Sequence, residues 1–131
     1  MAKKELVDKG VKRIEWARTH MKVLESIRER LVREQAFEGL KVGMALHTEA
    51  KTAVLALTIQ EAGAEVRLTS CNPLSTDDSV AVALNEEYGL TTYAKKGQNN
   101  AEYYKSLNKV LDMGPDYVID DGADLIFLLH T

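Results

Sequence analysis

The chain has one cysteine and two prolines in 131 residues, and none of its eight glycines falls in a G-x-G-x-x-G or Walker pattern. The lone thiol, Cys71, can build neither a disulfide framework nor a Cys-based metal cluster, and it is read as a small buried residue. Without a glycine-rich phosphate loop, no dinucleotide site of the usual kind is available. No apolar run approaches the roughly 20 residues that span a bilayer. The opening Met-Ala-Lys-Lys-Glu lacks the apolar segment of a secretory leader, so the expected location is the cytoplasm and no membrane partner is expected. A formal net charge of -3 without a basic stripe argues against nucleic acid as a partner.

What is present is the composition of a globular protein, 45% hydrophobic and 28% charged. The length of 131 residues fits a single α/β domain over 1–131, with N-terminal helices over 1–38 and a parallel-sheet region over 39–131. In the first part Val11, Ile14, Trp16, Ala17, Met21, Val23, Leu24, Ile27 and Leu31 form an apolar face at helical spacing, with a break predicted at Thr19 or His20. The charged run Glu25 to Glu34 is read as a solvated face and His20 as incidental.

The chain is organised around Leu40 to Thr58. The uncharged run Val42 to Leu46 reads as a buried strand that stops at His47. Thr48 or His47 can then cap a helix that is apolar nearly all round. Glu65 to Thr69 is a second strand, followed by a turn-rich loop, Ser70 to Thr76, in which Ser75 with Asp78 fits a capping box. A helix from Asp77 to Tyr88, a strand from Leu90 to Ala94, a helix capped by Asn99 or Asn100, and a strand Tyr117 to Ile119 complete the alternation. Repeated strand–helix units with short connections predict a three-layer open parallel sheet of about four strands, Rossmann- or flavodoxin-like, in order 2-1-3-4. That order brings the ends of strands one and three to a switch point, where such sheets bind ligands.

Three ionisable groups, His47, Glu49 and Lys51, cluster at the turn into the first sheet-covering helix. They are either a ligand site or a helix-dipole partner (Glu49) with two solvated neighbours. Asp120, Asp121 and Asp124 form an acidic turn that can cap a helix, bind sugar hydroxyls or do acid/base work; metal is the weakest reading, for want of further ligands at suitable spacing. Tyr103 and Tyr104 are read as packing residues.

Taken in order, Arg13-Ile14-Glu15-Trp16-Ala17, His20-Met21, Leu46-His47 with Thr52-Ala53, Gly63-Ala64-Glu65-Val66, Asn72-Pro73-Leu74-Ser75-Thr76, Glu87-Tyr88-Gly89 and Asp120-Asp121-Gly122-Ala123-Asp124-Leu125 resemble the N-terminal, substrate-binding part of S-adenosylhomocysteine hydrolases (adenosylhomocysteinases). The resemblance implies a hydrolase of a nucleoside thioether that uses bound NAD to oxidise the ribose 3′-hydroxyl. It implies His47 as acid/base near C5′ and Asp121 as the carboxylate at the ribose, both also substrate-binding. Glu49 and Lys51 fall where many members contact the base through threonine and glutamate. Lys51 departs from that pattern, because an ammonium only donates where a glutamate accepts. This suits a 6-oxo base and hence an inosyl substrate; otherwise Glu49 takes over as acceptor for adenine. A glutamine is usual where Asp77 stands. The family's Lys/Asp pair and NAD domain lie beyond the matched segment. The expectations are therefore no cofactor and no metal bound by this chain, inactivity alone, and a role as a truncated substrate domain or one half of a split enzyme joined by a complementary NAD-domain chain. A stand-alone nucleoside-binding or regulatory module, and self-association, are the alternatives.

Overall fold

The computed structural model describes residues 2–130. Two helices, α1 (Lys3–Thr19) and α2 (Lys22–Glu34), precede β1 (Lys41–Ala45), α3 (Ala50–Glu61), β2 (Glu65–Thr69), α4 (Asp78–Glu86), β3 (Thr91–Thr92), α5 (Asn100–Leu111), β4 (Tyr117–Asp120) and α6 (Asp124–Leu129). All strand pairs are parallel, and the order is β3-β2-β1-β4. This corrects the expected 2-1-3-4. β3 pairs with β2 (Arg67↔Thr91, Leu68↔Thr92), and β1 is flanked instead by β2 and β4. Burial accounts for the difference. β1 is buried from Val42 onward and takes a central place, whereas β4 alternates between exposed and half-buried residues and suits an edge. The switch point therefore falls between β1 and β4, not between strands one and three.

The pleat of β1 divides the core. Val42 and Met44 face the layer of α1, α3 and α4, packing with Ile14, Leu57, Val80 and Leu84. Ala45 faces the other layer, with Tyr103, Leu107 and Val110 of α5 and Leu125 of α6. Gly43 faces this second layer too; a Cβ there would stand 2.8 Å from Val110 Cγ1, so the missing side chain lets α5 lie close. On the first side α1 crosses α4 at Gly10, where a Cβ would fall 1.9 Å from the carbonyl oxygen of Ser79.

Local chemistry sets the helix ends, partly against expectation. α1 stops at Thr19 as predicted, but Trp16, expected on its apolar face, is exposed, and the buried stripe runs through Val7, Gly10, Ile14 and Ala17. α2, by contrast, buries none of its residues, leaving Val23 and Ile27 exposed. α3 is capped by Glu49, whose carboxylate accepts the N–H groups of Lys51 and Thr52, both at 3.2 Å. Thr48, expected to cap, is instead fully buried and donates its hydroxyl to the Leu46 carbonyl. Asp77 caps α4 by accepting from Ser79 N–H at 3.0 Å, displacing the predicted Ser75–Asp78 box, and Asp78 accepts from Lys96 N–H. Asn99 caps α5. β3 is shorter than Leu90–Ala94, and the apolar stretch after Asp124 is a short helix. Among the described residues no helix is long and apolar enough to cross a membrane.

Candidate functional site at the end of the central strand

β1 and β4 end level, with Ala45 opposite Asp120, and the chain leaves them in different directions. After β1 it turns through His47 into α3; after β4 it makes the acidic turn into α6. Asp121 N–H donates to the Ala45 carbonyl at 3.2 Å, which ties this turn to the end of β1. As a result His47 Nε2 and Asp121 Oδ2 lie 3.7 Å apart, although 74 positions separate them (121 − 47). That is too long for a hydrogen bond but is ion-pair distance once the ring is protonated. Their side chains remain 54% and 62% exposed, open to a ligand.

The three carboxylates of the turn have separate jobs. Asp120 accepts from the N–H groups of Ala123 and Ile126, both at 3.1 Å, and so closes the start of α6. Asp124 accepts the buried Tyr103 hydroxyl at 2.6 Å. Only Asp121 is left facing His47. Tyr103 also reaches the Cys71 carbonyl at 2.8 Å, fastening the loop after β2 to the turn after β4. Burial pushes the tyrosine's own titration well above its ordinary range, and Asp124 adds to the shift. Tyr103 thus packs, as expected, and also holds the site's two loops together; Tyr104 meets it edge-on.

Beside His47 opens a cleft of about 500 Å³ lined by Thr48, Glu49, Ser75, Thr76, Asp77 and Asp78, with Arg13 and Lys96 at its sides. Two backbone bonds knit its floor, Thr48 N–H to the Ser75 carbonyl (3.1 Å) and Asp77 N–H to the Thr48 carbonyl (2.8 Å). Arg13 reaches over from α1 to pair with Asp77. Burial alone would raise the Asp77 carboxyl, but hydrogen bonds from Ser79 and Arg13, with the Arg13 charge, outweigh it and leave the carboxyl below its usual range. Arg13 and Asp77 are cleft residues not expected from the sequence, where Arg13 is one of many charged residues on a helix and Asp77 is the start of another.

Glu49 lines the cleft, but both its oxygens are engaged in capping α3. Lys51 is exposed in the first turn of α3, and its ammonium has no partner among the described residues. The structure therefore brings His47 and Asp121 together, sets Glu49 in the same cleft as His47, and leaves Lys51 exposed on α3, outside the residues that line the cleft. Cys71 is buried at the same edge, its Sγ 3.9 Å from Ser75 Oγ. Its burial pushes the thiol up, the Ser75 bond pulls it down, and the Asp121 charge pushes it up again, with a net rise.

The helix ends at this edge do not suit a dinucleotide. α3 and α4 begin in the carboxylates of Glu49 and Asp77, which occupy the amide positions that would hold a pyrophosphate and would repel it.

Residues 1–131 match the family described as S-adenosyl-L-homocysteine hydrolase. The chain belongs to that family. Among its relatives, the S-inosyl-L-homocysteine hydrolase of Methanocaldococcus jannaschii is 59% identical over 122 residues, 93% of this chain and 29% of that protein. The adenosylhomocysteinase of Thermoplasma acidophilum is 53% identical over 123 residues, 94% of this chain and 30% of that protein. The adenosylhomocysteinase of Archaeoglobus fulgidus is 59% identical over 121 residues, again covering 92% of this chain and 30% of that protein. The chain therefore spans about 30% of the length of these adenosylhomocysteine hydrolase relatives. Both substrate names, inosyl and adenosyl, occur among them.

Proposed function

We propose that this chain is the substrate-binding portion of an adenosylhomocysteinase-type hydrolase, which converts a nucleoside thioether and water to nucleoside and homocysteine. The observation that carries the reading is the 3.7 Å approach of His47 to Asp121 at the β1/β4 switch point. An imidazole can give a proton to the departing sulfur and take one from the incoming water. A carboxylate beside it can pair with the ring when that is protonated, and can accept a hydrogen bond from a ribose hydroxyl. When bound in the full enzyme, NAD supplies the hydride acceptor that activates the sugar. The carboxylate-capped helix ends argue that these residues do not hold it, so this chain alone is inactive and the acting enzyme needs further polypeptide. Exposed apolar residues on β4 and α6, Tyr117, Ile119, Phe127 and Leu129, support a covering segment or partner on that side.

For the base, the unpartnered ammonium of Lys51 supports a 6-oxo purine, whose O6 accepts where the 6-amino group of adenine donates. Calorimetric titration of the chain with inosine and adenosine tests both claims. The expected result is weak binding that favours inosine, a preference reversed by Lys51→Glu and binding reduced by Asp121→Asn. Equal preference in wild type and Lys51→Glu removes the base assignment. Release of homocysteine by the chain with NAD and no second polypeptide overturns the claim that it is inactive alone.

A further inference from the structure

The strands β1, β2 and β4 end side by side, and each contributes one metal-ligating group to the same spot: His47 after β1, Cys71 after β2 and Asp121 after β4. One ligand atom from each, a ring nitrogen, the Sγ and a carboxylate oxygen, all lie within 4.8 Å of one another. We propose that His47, Cys71 and Asp121 form a three-ligand site for a thiophilic divalent cation, Zn²⁺ first among them, with its fourth position open to the cleft. Tetrahedral zinc on N, S and O donors needs donor–donor separations of about 3.3–3.7 Å. The His47–Asp121 distance of 3.7 Å already meets this. Closing the remainder takes a shift of about 1 Å. The side chains of His47 and Asp121, more than half exposed, have room to supply it, while Cys71 is held in the loop fastened by Tyr103.

The donor set is chemically selective. A thiolate and an imidazole favour zinc over magnesium or calcium, which take all-oxygen shells. Thiolate and carboxylate together neutralise the ion's two charges, and Asp120 and Asp124 beside them deepen the negative field. The thiol gives its proton to solvent as the metal–sulfur bond forms, and nothing is oxidised or reduced. In the enzyme, a metal on His47 takes the lone pair that proton exchange uses, so the ion acts as an inhibitor; that consequence rests on the function proposed above, whereas the binding does not.

Titration of the full 131-residue chain with Co²⁺ tests the site directly. The expected result is one Co²⁺ per chain with a sulfur-to-cobalt charge-transfer band and the intense visible bands of four-coordinate cobalt, both bleached by Zn²⁺. Cys71→Ser and Cys71→Ala should each abolish the charge-transfer band. His47→Gln and Asp121→Asn, at exposed positions, should each weaken binding by on the order of ten-fold or more, while the control His20→Gln leaves it unchanged. Absence of the band in the wild type, its survival in either Cys71 variant, or indifference to both His47→Gln and Asp121→Asn overturns the proposal. Circular dichroism confirms that each variant is folded. Because nucleoside binding is measured separately and without metal, failure of this site and failure of the substrate-domain reading give different results.

Discussion

Tyr103 donates its hydroxyl to Asp124 at 2.6 Å and reaches the Cys71 carbonyl at 2.8 Å, so one buried ring joins the loops that follow β2 and β4 across the end of β1. Tyr103→Phe keeps the packing and removes both bonds, leaving a carboxylate and a carbonyl without their donor. The expected loss of stability is about 1–3 kcal/mol by urea denaturation. Nucleoside binding should weaken too, since the turn carrying Asp121 loses its anchor. A variant as stable as the wild type would show that the hydroxyl contributes only packing.

The close crossing of α1 over α4 makes Gly10 sensitive. A methyl group 1.9 Å from the Ser79 carbonyl oxygen forces the helices apart. Gly10→Ala should cost about 1–3 kcal/mol or more, and move Arg13 away from Asp77. An unchanged denaturation midpoint would mean that α1 rides loosely on the sheet.

Asp77 contributes to the acid limb of stability. Its folded carboxyl titrates below the unfolded value, so its contribution is present above the unfolded pKa and is lost as pH falls through the folded one. Stability should therefore decline on going below about pH 4, and Asp77→Asn should flatten that decline. Equal slopes in the two proteins would remove Asp77 from the account.

Glu49 separates capping from ligand contact. Glu49→Ala should cost about 1 kcal/mol through the lost N-cap. Glu49→Ser restores a cap oxygen without a carboxylate, and should recover the stability. If nucleoside binding recovers with it, Glu49 acts through the helix; if binding stays low, the carboxylate itself touches the ligand.

The alternation of strands and helices was legible in the sequence because both periods, and the glycines that punctuate them, are local properties of the chain. His47 and Asp121 were legible as candidates for a related reason: each follows a recognisable strand. The caps were harder to read. Thr48, Ser75 and Glu49 all have capping chemistry, and only the path of the loops, with Thr48 buried and hydrogen-bonded backward, leaves the task to Glu49.

The sequence by itself determined the element types, the lack of a phosphate loop and the residues able to do acid/base chemistry, because these depend on neighbours a few positions away. The tertiary structure alone decided that β3 lies outside β2 and that β4 pairs with β1. That order is set by how much of each strand is buried from both sides, a balance no short window contains. It is also what carries Asp121 to His47, and what turns a solitary cysteine into the third member of a cluster.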